Sequence, residues 1–125
     1  MFFRYLPISY LPFFILCTFL GAQEETRPTV AIPEEYALHH NYPNPFNPVT
    51  TMLYDLPEAG HTRLLIYDLL GKEVRVLIDK VMNPGYYSTQ WNGRNSQGQT
   101  VGAGVYLYQI QSNGFIQTRK MLLLK

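Results

Sequence analysis

The stretch GVYLYQIQSNGFIQTRKMLLLK, residues 104–125, decides the fold. Its first part, from Gly104 to Gln111, reads as a β-strand in which Val105, Leu107 and Gln109 alternate with Tyr106, Tyr108 and Ile110. Asn113-Gly114 follows, and this pair favours a tight type I′ turn because both central residues of that turn need a positive φ. Phe115 to Leu124 then returns beside the first strand. The stretch therefore predicts a β-hairpin.

Further short strands precede the hairpin, each bounded by turn signals. Val49 to Leu56 places alternate apolar residues on one face, and PEAGH, residues 57–61, breaks it and puts His61 in a turn. Strands are also predicted over Thr62 to Leu69, Val74 to Ile78 and Tyr87 to Trp91. About seven short strands with turns every 8 to 12 residues predict an all-β chain, a single antiparallel β-sandwich.

Trp91 is the predicted centre of the sandwich core, since burying a large apolar side chain contributes roughly 1.5 to 3 kcal/mol before entropy is subtracted. Its predicted neighbours are Leu64, Ile66, Tyr87, Val105 and Leu107.

The segment NYPNPFNP, residues 41–48, fits neither a helix nor an ordinary strand. Its three prolines remove amide donors and bias the preceding residues toward extended conformations. Tyr42 and Phe46 are predicted to press onto the sandwich as anchors, while the asparagines make local turns.

The beginning of the chain is typical of a secretory signal peptide. Arg4 precedes an apolar run that ends at small residues, which predicts a signal peptide over residues 1–22 with cleavage after Ala22. Residues 23–36 are charged and contain two prolines, as expected of a linker. The single cysteine, Cys17, lies in the signal peptide and is interpreted as apolar filler, so no disulfide is expected.

The composition argues against several classes of function. A formal net charge of +1 gives no basic stripe for nucleic acid. Adjacent His39 and His40 point to opposite faces of a strand, and no serine has a supporting histidine and acid. Paired carboxylates occur only in the linker, and the loop from Asn92 to Gly98 has no acid for Ca²⁺. We therefore expect no enzyme, metal site, cofactor or small-molecule substrate.

Several sequence blocks together resemble a known family. They are ALHHNYPNPFNPVTTMLYDLPEAG, LLIYDLLGKEV, WNGRNSQGQTVGAGVYLYQI and TRKMLLLK, in that order. They are similar to the C-terminal sorting domain of type IX secretion (Por secretion) substrates, type A, in the subtype that resembles the Ig-like domain of the flagellar hook-capping protein. The resemblance covers residues 37–125 and implies an Ig-like sandwich.

The resemblance also implies a function. After Sec export to the periplasm, such a domain is recognised by the outer-membrane type IX machinery and reaches the cell surface or the outside. In many members the domain is then cut off, which implies a sortase-like signal peptidase as a partner. The candidate recognition residues are Gly104, Val105, Tyr106, Lys120, Met121, Leu122, Leu123, Leu124 and Lys125. The family's structural motif corresponds to Asn41, Tyr42, Pro43, Asn44, Pro45, Phe46, Asn47 and Pro48, with Trp91.

The sequence leaves alternatives open. The terminal KMLLLK can be a buried last strand, a strand recognised at a sheet edge, or both. The module can instead be a structural or adhesive Ig-like surface domain, and the aromatic residues leave room for carbohydrate binding. Family members usually carry a passenger where this chain has only the linker. The chain is then a stand-alone module, a remnant of a longer gene or a mis-called reading frame.

Overall fold

The computed structural model describes residues 31–125, and this part of the chain contains strands and no helix. The predicted signal peptide, Cys17 and the linker residues before position 31 lie outside the described residues. No helix within residues 31–125 is long and apolar enough to cross a membrane. The strands are β1 (Ala37–Leu38), β2 (Thr50–Leu56), β3 (Gly60–Asp68), β4 (Glu73–Met82), β5 (Gly85–Trp91), β6 (Gly104–Ser112) and β7 (Phe115–Leu123).

The seven strands form two antiparallel sheets. One sheet has three strands in the order β1-β2-β5, and the other has four in the order β4-β3-β6-β7. β6 and β7 form the predicted hairpin, in which Asn113 has a φ of 49° and Gly114 a φ of 84°. The all-β, Ig-like sandwich predicted from the sequence is confirmed.

The core lies between the inner faces of the two sheets. Met52, Tyr54 and Leu56 of β2 are all buried, as their alternation predicts, and so are Leu64 and Ile66 of β3. Trp91 is buried at the end of β5, and partly buried Tyr87 packs against the core.

The prediction for β6 was wrong, because Val105 and Leu107 are not in the core. Tyr106, Tyr108 and Ile110 fill it instead. Tyrosine offers a large apolar ring and a polar tip that needs a partner when buried. The Tyr108 hydroxyl finds one in the carbonyl of His39 at 2.7 Å, and the Tyr106 hydroxyl in that of Gly102 at 2.7 Å.

Two boundaries in the β3-β4 hairpin also differ from the prediction. β4 runs from Glu73 to Met82 rather than from Val74 to Ile78, and His61 lies in β3 rather than in a turn. The strands continue because the antiparallel pairing extends to Gly60 opposite Met82, and exposed polar side chains meet across this part of the ladder: His61 Nε2 lies 2.7 Å from Asp79 Oδ1. The polar residues at these strand ends, which the sequence pattern placed outside the strands, therefore belong to solvent-exposed parts of β3 and β4.

The residues just before β1 contact the sandwich as well. Tyr36 stacks on Phe115 with ring centroids 5.0 Å apart, and its hydroxyl accepts a hydrogen bond from Asn113 Nδ2 at 3.0 Å. The division into a linker at 23–36 and a domain at 37–125 stays a prediction.

Candidate functional site

Two of the candidate recognition blocks lie side by side in the four-stranded sheet. The β6-β7 register places Gly104 opposite Leu123, Val105 opposite Leu122, and Tyr106 opposite Met121. The Gly104-Val105-Tyr106 block and the terminal Lys120–Lys125 block, which are separated in sequence by the whole hairpin, are therefore direct cross-strand neighbours.

The proline-rich segment reaches the same place from the other side. Phe46 N donates to the Leu122 carbonyl at 3.0 Å, and Leu124 N donates to the Phe46 carbonyl at 2.8 Å. Leu122 N also donates to Asn44 Oδ1 at 3.0 Å. The backbone of β7 at its C-terminal end is thus covered, and Asn44 binds the last strand instead of making a local turn. We call the meeting point of residues 44–46, 104–106 and 120–125 the C-terminal corner.

An aromatic cluster supports the corner from inside. The Phe46 ring lies 5.8 Å from the Trp91 ring, and the Tyr106 ring meets Trp91 edge-on at 5.3 Å. Trp91 Nε1 donates to the Arg94 carbonyl at 2.8 Å, which satisfies its only donor. Burial, with a smaller contribution from Asp68, raises the pKa of the Tyr106 hydroxyl, so this group stays neutral. Trp91, Phe46 and Tyr106 therefore hold the corner together.

Gly104 is required by backbone conformation. Its φ is 145°, in a region that residues with a side chain rarely adopt, and a Cβ placed there would meet nothing within 4 Å. The glycine of the Gly104-Val105-Tyr106 block thus sets how β6 begins, while Val105 presents a side chain on the outer face.

The start of the proline-rich segment is fixed by Asn41 and not by Tyr42. Buried Asn41 donates from Nδ2 to Thr50 Oγ1 at 2.9 Å and to the Pro43 carbonyl at 3.3 Å. Tyr42 exchanges two backbone hydrogen bonds with Thr51, each of 2.9 Å, and its ring is 80% exposed. The prediction that Tyr42 anchors the segment was wrong, whereas Phe46, only 1% exposed, is an anchor.

The terminal block divides by side-chain direction. Met121 and Leu123 are buried, and Leu122 is half-buried. Lys120, Leu124 and Lys125 are exposed, so only these three side chains of the block are fully available to a partner. They are two cations around one apolar side chain.

A cleft of about 510 Å³ runs beside Lys120 along the edge of β7. Its lining includes His40, Arg119 and Lys120, and no carboxylate. Arg119 donates from Nε to the Leu38 carbonyl, and within residues 31–125 no acidic side chain pairs with it. The cleft is thus positive and suits an anionic group on a partner. Arg119 and His40 are not among the recognition residues predicted from the sequence, although Arg119 directly precedes the terminal block.

The histidines are dispersed. His39 Nε2 lies 3.0 Å from Asp55 Oδ2, whereas His40 Nε2 lies 3.4 Å from an Arg119 nitrogen. Within residues 31–125, no group of three or more histidine, cysteine, aspartate or glutamate side chains is arranged to hold a metal ion. Asp68 Oδ1 accepts from the amides of Leu70 and Lys72, both at 2.9 Å, and so caps the turn between β3 and β4.

Comparison with known proteins identifies the family. The FlgD Ig-like domain model matches residues 48–114, more than half of the chain. The chain belongs to the FlgD Ig-like domain family. This match spans β2 to β6 and includes Trp91 and the Gly104-Val105-Tyr106 block, while the terminal block lies beyond it. No curated protein matches the chain.

The chain is also similar to solved structures of bacterial proteins. Dimeric latent PorU from Porphyromonas gingivalis superposes with a TM-score of 0.57 and 19% identity, over 77% of this chain and 10% of PorU. PorZ from the same organism is described as an essential bacterial surface component of the type-IX secretion system. It has a TM-score of 0.50 and 19% sequence identity, over 74% of this chain and 12% of PorZ. FlgD from Xanthomonas campestris has a TM-score of 0.48 and 18% sequence identity, over 73% of this chain and 63% of FlgD. The chain thus spans about a tenth of PorU and PorZ.

Proposed function

We propose that this FlgD-type Ig-like domain is a non-catalytic sorting module that directs a Sec-exported protein through the type IX secretion system to the cell surface or outside. Its partner is the outer-membrane secretion machinery, and cleavage by a sortase-like signal peptidase belongs to the same proposal. This role requires a folded domain with accessible side chains that the secretion machinery can recognise, and it needs no catalytic group.

The observation that carries the proposal is the C-terminal corner. Three blocks that the family resemblance marks, far apart in sequence, meet there through the β6-β7 register and the Phe46 hydrogen bonds. Lys120, Leu124 and Lys125 are exposed there, and Lys120 lines the positive cleft. Phe46 already shares backbone hydrogen bonds with Leu122 and Leu124, so we expect recognition through the exposed side chains rather than through an added strand. The fold shared with PorZ supports this assignment.

The direct test changes the exposed side chains of the corner and leaves the core intact. Deleting Lys120–Lys125 would also remove buried Met121 and Leu123, so it would confuse unfolding with loss of recognition. The triple substitution Lys120→Glu, Leu124→Asp and Lys125→Glu avoids this difficulty. In a host with type IX secretion we expect this variant to accumulate in the periplasm, as measured by cell fractionation and surface proteolysis.

A matched control makes the same chemical changes elsewhere. Leu70→Asp, Lys72→Glu and Lys80→Glu alter one exposed leucine and two exposed lysines away from the corner. The free energy of unfolding of both triple variants should lie within about 0.5 kcal/mol of the parent value, as is usual for surface substitutions. The control variant should reach the surface. Equal surface delivery of the corner variant and the control would refute the sorting assignment.

A structural or adhesive Ig-like module is the second candidate, because an apolar patch lies away from the corner. Leu53 and Tyr86 are exposed on the outer face of the three-stranded sheet. Under that alternative the corner variant is delivered normally, and substitutions at Leu53 and Tyr86 reduce surface attachment.

A further inference from the structure

Most sheet edges of the described domain are protected against pairing with another strand. The edge of β7 is covered by Phe46 and Asn44, and farther along by Gln117, whose side chain accepts from Leu38 N at 3.2 Å. β1 has only two residues. β4 carries charges from Glu73 to Lys80 and two register shifts against β3. Short strands, charges and bulges are the devices by which proteins avoid edge-to-edge association.

β5 has none of these devices. Its sequence, GYYSTQW, contains no charged residue and no proline, and its seven residues pair with β2 without a register shift. β5 ends the β1-β2-β5 sheet, and within residues 31–125 no strand pairs with its outer side. An edge strand of this length without a bulge, a charge or a proline is a ready template for another strand.

The surface beside this edge is apolar as well. Tyr86 is 63% and Leu53 is 47% exposed, and they line a shallow groove of about 560 Å³ together with Tyr87, Ser88 and the His39–Asp55 pair. Tyr87 stacks on Tyr54 on the inner side, with centroids 5.6 Å apart, which fixes the edge in place. A partner strand would therefore meet a rigid edge flanked by apolar side chains.

We propose that β5 pairs edge to edge with β5 of a second copy of this chain. An antiparallel arrangement about a two-fold axis at Ser88 joins the three-stranded sheets of the two copies into one continuous sheet. Tyr86 then lies opposite Gln90 of the second copy and Ser88 opposite Ser88, so no like charges meet. A formal net charge of +1 for the whole chain gives little repulsion between copies. The proposal does not depend on the sorting role.

Charge substitution at Ser88 tests the pairing. Ser88 is exposed and lies in the middle of the strand, so Ser88→Lys and Ser88→Glu leave the core unchanged. We expect the purified full chain to form a concentration-dependent dimer in sedimentation equilibrium. Each variant should dimerise at least about tenfold more weakly, because like charges then face each other across the axis.

Mixing the two variants shows whether weaker dimerisation comes from like charges facing each other across the two-fold axis. An equimolar mixture of Ser88→Lys and Ser88→Glu should regain dimerisation as a heterodimer, because opposite charges then face each other. Val81→Lys, a charge added to the already charged β4 edge, should leave the parent dimer unchanged. A parent chain that stays monomeric, a Ser88→Lys variant that dimerises like the parent, or a mixture that does not recover overturns the proposal.

Discussion

At the scale of single residues, Phe46 and Tyr42 show how one segment divides its aromatic side chains. Both rings lie in the same proline-rich stretch, yet Phe46 packs against Trp91 while the ring of Tyr42 points into solvent. Tyr42 contributes its backbone instead, through two hydrogen bonds to Thr51. Of the two aromatic side chains in this segment, only that of Phe46 therefore anchors it to the sandwich.

Substitutions in this segment should rank accordingly. Phe46→Ala should lower the free energy of unfolding by about 3–5 kcal/mol, because a fully buried ring is lost. Asn44→Ala removes one hydrogen bond to Leu122 N and should cost about 1 kcal/mol. Tyr42→Ala is the exposed control and should stay within about 0.5 kcal/mol. Denaturant unfolding measures all three, and a loss for Tyr42→Ala equal to that for Phe46→Ala would contradict the structure.

Residue identity also explains why the core of β6 was predicted on the wrong face. Both alternating sets of this strand are apolar, with Val105 and Leu107 on one side and Tyr106, Tyr108 and Ile110 on the other. Alternation fixes that the two sets face opposite ways, but not which one points inward. Carbonyl partners for the two tyrosine hydroxyls accompany the burial of the tyrosines: Gly102, four residues before Tyr106, and the distant His39 for Tyr108.

At the scale of elements, the final hairpin follows from local rules, while β4 depends on its partner. The turn of this hairpin could be predicted from Asn113-Gly114, because asparagine and glycine are the residues that most readily adopt the positive φ values it needs. The full length of β4 could not be predicted, since Asp79 and Lys80 belong to a strand only when β3 is beside them. Likewise, the cover on β7 depends on Phe46, which is remote in sequence.

The hairpin turn makes a clean test of backbone conformation. Gly114 and Gly102 both have open space where a Cβ would go, but only Gly114 has a positive φ, of 84°. Gly114→Ala should therefore destabilise the domain by about 1–2 kcal/mol through left-handed strain. Gly102→Ala should have little effect or stabilise slightly. Thermal unfolding of the two variants compares them directly, and an equal effect at both positions would show that the turn is not strained.

At the scale of the whole molecule, the sandwich brings together features that the sequence holds apart. The terminal block, the start of β6 and the proline-rich segment form one corner, and Trp91 lies behind them. The residues of this corner could be named from the family resemblance, but their contacts and the positive cleft around Arg119 required the fold. The unprotected edge of β5 lies apart from the corner, in the other sheet.

The most direct test of the sorting role is transfer of the domain to another protein. Residues 31–125, which include Tyr36 because it packs on Phe115, would be fused behind a Sec-exported reporter in a host with type IX secretion. A sorting module predicts that the reporter appears on the cell surface or in the medium, measured by protease accessibility of intact cells. Retention of a folded reporter in the periplasm would contradict the sorting role.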